Sequence, residues 1–230
     1  WTPETAPLHW ANTQHSMGAA YVQRVDGNRA VNLEEALACY NHALEVWTRE
    51  TAPLHWASAQ YSMSAAYVER VDGDKAANLE EALACYRRAL ELWTHETAPL
   101  NWARAQRGMG AAYSARLDGD KAANMEEALA CYRRALEVWT RETSPLQWAT
   151  AQYSMGVTYA ERLDGDKANN IEMALACYLR SLDVWTCETV PLDWAKAQHG
   201  MGASFFERLD GDKAANIEEA LACYRRALKV

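Results

Sequence analysis

"WTRETAPLHWASAQYSMSAAYVERVDGDKAANLEEALACYRRALEL" occupies residues 47–92 and decides the fold. Trp47 opens it, and Trp1, Trp93, Trp139 and Trp185 open near-copies of it. A second tryptophan follows at Trp10, Trp56, Trp102, Trp148 and Trp194. The period is 46, and five copies fill all 230 residues: 1–46, 47–92, 93–138, 139–184 and 185–230. Self-similarity at this length marks a single array of stacked units, not a globule around one core.

Within the quoted copy, Pro53 stands where a helix would start, because proline lacks a donor that the first turn would leave orphaned. At 100° per residue, Trp56, Gln60, Met63, Ser64, Tyr67 and Val71 share one stripe. This is helix A. Ala59 and Ala66 form a face of small residues, repeated at Ala105, Ala112, Ala151 and Ala197, against which a neighbouring copy can stack. In "NLEEALACYRRALELWT" (78–94), Leu79, Ala82, Leu83, Tyr86, Ala89, Leu90 and Trp93 share a second stripe, with Glu80, Arg87, Arg88 and Glu91 outside it. This is helix B. Each helix is about 25 Å long at 1.5 Å per residue. The expected architecture is all-α: a solenoid of five antiparallel helix pairs.

The loop "DGDKAANLEE" (72–81) has the look of a cation site. An EF-hand needs an oxygen ligand at position 5, Gly at 6 and Glu at 12. Counting from Asp72, those places hold Ala76, Ala77 and Leu83, so no metal is expected. The loop reads as punctuation. Asp72-Gly73 ends helix A, and Asn78 caps helix B with Glu81 completing a capping box. Copy four has Met173 in place of that Glu, which predicts its weakest cap.

The same residues resemble the tetratricopeptide repeat (TPR) family. Gln106, Met109, Gly110 and Tyr113 look like the helix A signature. Ala128, Tyr132, Ala135 and Leu136 look like that of helix B. The resemblance covers all five copies, and implies a right-handed superhelix. It departs from the family in length, since the usual unit is 34 residues. The long form, with "PLxWAxxQ" and "RxDGDxAxN", looks like TPR arrays of large bacterial proteins. Some of those carry a caspase-like CHAT peptidase or a signalling ATPase domain. Nothing in this chain matches such a domain, so the resemblance implies an interaction arm and not an enzyme. No initiator Met is present, and the chain begins and ends within the pattern. It reads as an excised piece of a longer protein or an engineered array.

In that family the A helices line a groove. The matching positions are Asn12, His15, Ala19, Val22 and Gln23 in copy one, and Ser58, Tyr61, Ala65, Val68 and Glu69 in copy two. Copy three supplies Arg104, Arg107, Ala111, Ser114 and Ala115. Copy four supplies Thr150, Tyr153, Val157, Ala160 and Glu161, and copy five Lys196, His199, Ala203, Phe206 and Glu207. Differences between copies gather on this face, whereas Trp, Gln, Met, Asp-Gly and Ala-Leu-Ala-Cys-Tyr recur unchanged. A protein or peptide segment is therefore the expected partner, with Tyr61, Tyr153 and Phe206 as aromatic anchors. Arg104 and Arg107 suit a carboxylate on that partner. The carboxylate clamp of chaperone-binding TPRs needs Asn where Ala19, Ala65, Ala111, Val157 and Ala203 stand, so chaperone tails are disfavoured.

A net charge of −8 argues against nucleic acid. No apolar run reaches the roughly 20 residues of a membrane span. Cys39, Cys85, Cys131, Cys177 and Cys223 recur once per copy. Equivalent atoms in stacked helices lie about 8–10 Å apart, too far for a disulfide. They read as small buried hydrophobes of a reducing, cytoplasmic compartment, and Cys187 as the exposed exception. The six histidines show no metal-ligand spacing, and no cofactor is implied. Gln14, Gln60, Gln106, Gln152 and Gln198 fall on the core stripe, where each amide should bridge to a loop or neighbouring helix. An alternative to partner binding is head-to-tail self-assembly, since neither end carries a polar cap.

Overall fold

The computed structural model describes residues 1–162 and 164–230. Among them are ten helices and no strand: α1 (Pro7–Gln23), α2 (Arg29–Val46), α3 (Pro53–Glu69), α4 (Lys75–Leu90), α5 (Pro99–Ala115), α6 (Lys121–Val138), α7 (Pro145–Glu161), α8 (Lys167–Leu182), α9 (Pro191–Glu207) and α10 (Lys213–Ala227). Odd-numbered helices are the A helices and even-numbered ones the B helices. The chain divides into two compact units, Trp1–Asp118 and Gly119–Val230, with the boundary in the loop after α5.

Each A helix begins with its proline in the first turn, as the missing donor dictates. No side chain caps it. The preceding Thr-x-x-Thr turn, closed by its own hydroxyls, leads the chain into the helix instead. Thr48 and Thr51 share a 3.1 Å hydrogen bond, and Ala52 N–H donates to the Thr48 carbonyl at 3.0 Å. Each glycine of the Asp-Gly loop takes positive φ (+84° at Gly73), which a side chain would resist.

The caps of the B helices differ from expectation. Helix α4 starts at Lys75, and the Asp74 carboxylate accepts from Ala76 N–H at 2.9 Å. Asp120, Asp166 and Asp212 do the same, and Asn28 does so in copy one. Asn78 therefore lies inside the helix and Glu81 completes no capping box. Copy four is capped by Asp166 like the others, so Met173 does not weaken it. Asn78 is buried and has another task. Its Nδ2 donates to the Asp72 carbonyl at 2.9 Å, and its Oδ1 accepts from Arg70 at 3.2 Å. Two Asx residues within five positions compete for the cap, and the one nearer the loop wins because it leaves the other free to tie that loop down.

Helix A also ends earlier than the loop suggested. The last helical residue is Glu69, and Val71 stands outside the helix, 66% exposed and off the core. Trp93 is buried as expected, but it follows the end of α4 and is not part of it.

In the first unit, α1 packs on α2 and α3 on α4 along their lengths. Each B helix then leans on the next A helix, α2 on α3 and α4 on α5. In the second unit, α7 packs on α8 and α9 on α10, with α6 against α7 and α8 against α9. The core of the first unit gathers Leu33, Leu37, Tyr40, Met63 and Cys85. Truncating such a leucine costs about 2–5 kcal/mol. Tyrosines of the B helices explain the glycines of the A helices. A Cβ on Gly18 would stand 2.6 Å from the Tyr40 ring, and one on Gly156 2.9 Å from Tyr178.

A ladder of ion pairs sets the register between copies. Arg70 at the end of α3 grips Glu34 on α2 with two hydrogen bonds, 2.6 and 3.0 Å. Arg116 with Glu80, Arg162 with Glu126 and Arg208 with Glu172 repeat the contact. These groups are partly exposed, so each pair contributes about 1 kcal/mol or less.

Candidate functional site

Four of the residues expected in the groove take equivalent places, each forming a ledge within its own unit. His15, Tyr61, Tyr153 and His199 occupy the same place on α1, α3, α7 and α9. Each lies over the B-helix tyrosine of its own copy. Tyr61 stands 6.0 Å from Tyr86 and 5.6 Å from Trp93, centroid to centroid. Tyr153 stands 5.8 Å from Tyr178 and 5.4 Å from Trp185. His15 stands 5.4 Å from both Tyr40 and Trp47, and His199 is 5.5 Å from Tyr224. Ring pairs at these separations stabilise by about 0.5–1.5 kcal/mol beyond the area they bury. The ledge residue is thus fixed from below and open above, which gives a rigid contact surface at little further cost in entropy.

Beside Tyr61 the ledge opens into a cavity of about 620 Å³ between α3 and α5. Leu54, His55, Ser58, Tyr61 and Ser62 line it from α3, Trp93, Thr97 and Ala98 from the loop, and Asn101 and Arg104 from α5. Of the expected residues, Ser58, Tyr61 and Arg104 are brought together here. Leu54, His55, Trp93 and Asn101 were not expected. The signal for two of them is in the sequence. The position of His55 and Asn101 reads His9, His55, Asn101, Gln147 and Asp193 across the copies, second in variability only to the Asn12 position of the expected set, which differs in every copy. Leu54 gave no such signal, being leucine in every copy, although it is 59% exposed.

Other expected residues lie elsewhere on the same helices. Asn12 is exposed on α1, and Arg107 is half-buried on α5. Gln23 and Ser114 lie at the far ends of their helices. Glu69 pairs with Arg29 there, and Glu207 pairs with Lys167 at 3.3 Å. Glu161 is exposed at the matching place on α7. Thr150 turns back on its own helix, donating to the Leu146 carbonyl at 2.8 Å. Phe206 is 57% exposed, with the Lys213 ammonium 5.4 Å over its ring. Lys196 pairs with Asp193 at 3.0 Å.

Burial shifts several titrations. It holds the His15 imidazole below its ordinary value, aided by nearby His55, while its Nε2 shares a 3.1 Å hydrogen bond with Ser62. It pushes the Tyr86 phenol up to about 12 and the Cys85, Cys131 and Cys177 thiols up to about 11. A thiol so placed is a poor nucleophile. The five cysteines of the repeat are buried and Cys187 is partly exposed. The core glutamines form no link through their amide oxygens. Oε1 of Gln60, Gln106, Gln152 and Gln198 is buried without a hydrogen-bond partner in the protein. Helix packing encloses the amide before its oxygen reaches a donor. Among the described residues, no group of three or more His, Cys, Asp or Glu side chains could hold a metal, and no helix is long and apolar enough to cross a membrane.

No family model matches the chain, and no curated protein matches it. Solved structures do. The chain is similar to BtubC (BKLC) from P. vanneervenii at 15% identity, covering 98% of this chain and 91% of that one, with a TM-score of 0.64. It is similar also to a TPR repeats protein from Bacteroides fragilis NCTC 9343, at 17% identity over 95% of this chain and 87% of that one. The TM-score there, 0.39, is too low to add weight. The likeness to BtubC shows the fold alone. With the helix pairs repeated along the whole chain and the signature residues in both helices, that fold is a TPR-like helical repeat.

Proposed function

We propose that the chain is an interaction scaffold that holds an extended protein or peptide segment against its A helices, without catalysing a reaction. The observation that supports this most is the Tyr61 ledge. An aromatic ring, backed by Tyr86 and Trp93, faces a cavity of about 620 Å³ lined by two neighbouring copies. Tyrosines held this way are the common anchors of protein interfaces. Tyr153, backed by Tyr178 and Trp185, is the counterpart of Tyr61 in the second unit. A reducing cytoplasmic setting fits five buried, unbridged thiols.

The test is selection of random linear peptides against the intact chain, followed by affinity measurement on variants. Tyr61→Ala with Tyr153→Ala should weaken a selected peptide at least tenfold, as loss of a hot spot does. Arg87→Ala and Glu45→Ala, on exposed B-helix faces, should leave it unchanged. Equal affinity for all variants removes the groove reading. Head-to-tail self-association is a second reading, supported by Trp1. It is 77% exposed in this chain, whereas Trp47, Trp93, Trp139 and Trp185 are 2–4% exposed. Light scattering across a concentration series decides it, and a strict monomer at high concentration removes it.

A further inference from the structure

Charge separates the two ledges. The cavity beside Tyr61 contains Arg104 and no carboxylate, in a chain whose net charge is −8. Four other arginines of the first unit are neutralised within it, whereas Arg24, Arg87, Arg88 and Arg107 pair with no carboxylate among the described residues. Arg29, Arg49, Arg70 and Arg116 all pair with glutamates. Arg104 pairs with none among the described residues, and it is exposed. Its neighbour one turn earlier is Asn101, an amide that brings hydrogen-bonding capacity but no charge.

The second unit holds the same positions two copies later, at Asp193 and Lys196. There the carboxylate and the ammonium pair with each other at 3.0 Å, three residues apart on α9. The pair stands on α9 at the places that Asn101 and Arg104 hold on α5 beside the first ledge. One amide-to-acid difference thus decides whether the cation on the ledge is already satisfied. Asp193 consumes the charge of Lys196, and Asn101 leaves that of Arg104 open.

We infer that Asn101 and Arg104 make the first ledge select an acidic side chain in the bound segment, whereas Asp193 makes the second ledge indifferent to one. This rests on the groove reading and names the chemistry of its ligand. The acidic group would meet the planar guanidinium, which suits a carboxylate, with the Asn101 amide as a further donor. Its apolar neighbours in the segment would lie on Tyr61 and Leu54. The partner is accordingly a protein segment that carries Asp or Glu beside apolar residues. Exposure of Arg104 keeps the gain moderate, and added salt should reduce it.

The probe is again a pool of random linear peptides selected on the intact chain. The selected pool should be enriched in Asp and Glu over the starting pool. The best acidic peptide should bind about tenfold more weakly to Asn101→Asp and to Arg104→Gln, the effect of losing one charge-assisted contact. Asp193→Asn should not weaken it. Asn101 and Arg104 lie at the surface, and unchanged far-ultraviolet circular dichroism would confirm that these variants remain folded. A selected pool without acidic excess, or an acidic peptide indifferent to Asn101→Asp, overturns the inference. So does an equal loss in Asp193→Asn. If peptides are selected and depend on Tyr61 but show no acidic excess, the groove reading stands and this inference alone fails. If no peptide is enriched, both fail.

Discussion

Replacing Asn78 by alanine is the sharpest test of how the repeat is held together. As an N-cap, the place the sequence pattern suggests for it, Asn78 would contribute about 1 kcal/mol. Its place in the structure implies more. The side chain is 4% exposed, and it donates to the Asp72 carbonyl while accepting from Arg70. The first bond is neutral and contributes about 1 kcal/mol, and the second is to a charged group and contributes about 1.5–3 kcal/mol. Arg70 is also the arginine that grips Glu34 of the preceding copy, so the loss reaches the contact between copies. Asn78→Ala should therefore cost about 2.5–4 kcal/mol, and Asp74→Ala, the actual cap, about 1 kcal/mol. Urea denaturation followed by circular dichroism measures both, provided the two-state fit holds. A double-mutant cycle between Asn78 and Arg70 should show coupling. The reasoning fails if Asn78→Ala costs no more than Asp74→Ala, or if the cycle shows independent residues.

Acidification should expose the state of His15. Burial lowers its pKa below the ordinary 6.5, so the unfolded chain binds that proton more readily. Its contribution is complete above the unfolded value and is lost as pH falls from there through the lowered folded-state value. Melting temperature should drop less between neutral and mildly acid pH in His15→Tyr, which installs the residue of copies two and four, than in the wild type. Equal drops would refute the assignment. Gly156→Ala should destabilise by about 1–3 kcal/mol through overpacking against Tyr178, even though alanine favours helix by about 1 kcal/mol; a rise in melting temperature would contradict it. Iodoacetamide at mildly alkaline pH should label Cys187 well before the five buried cysteines, with peptide mapping as the readout.

Much of the fold could be read before any coordinates, for physical reasons. A 46-residue period leaves few alternatives, and proline at the start of each A helix and the apolar stripe of each B helix mark the elements directly. The caps could not be read in this way. Asp74 and Asn78 are both good capping residues, and only the path of the loop shows that one takes the cap and the other the buried tie. Val71 matched the helical stripe by number, yet the helix had already ended at Glu69. The site was half legible. Copy-to-copy variation pointed to Ser58, Tyr61 and Arg104, and the cavity joins them. Trp93 and Leu54 were hidden because they do not vary. The pairing of Lys196 with Asp193 needed distances, since charge alone does not tell whether a neighbour has already taken it.

The central claim is that a partner segment lies on the A-helix ledge of the first unit. Photo-crosslinking locates such a segment without relying on loss of affinity. A benzophenone side chain placed at Ser58, at the mouth of the cavity, is compared with one at Glu45, on the exposed face of α2. With a selected peptide present, the account expects crosslinks from position 58, competed away by unlabelled peptide, and none from position 45. Equal yields from the two positions, or crosslinks from position 45 alone, would contradict it.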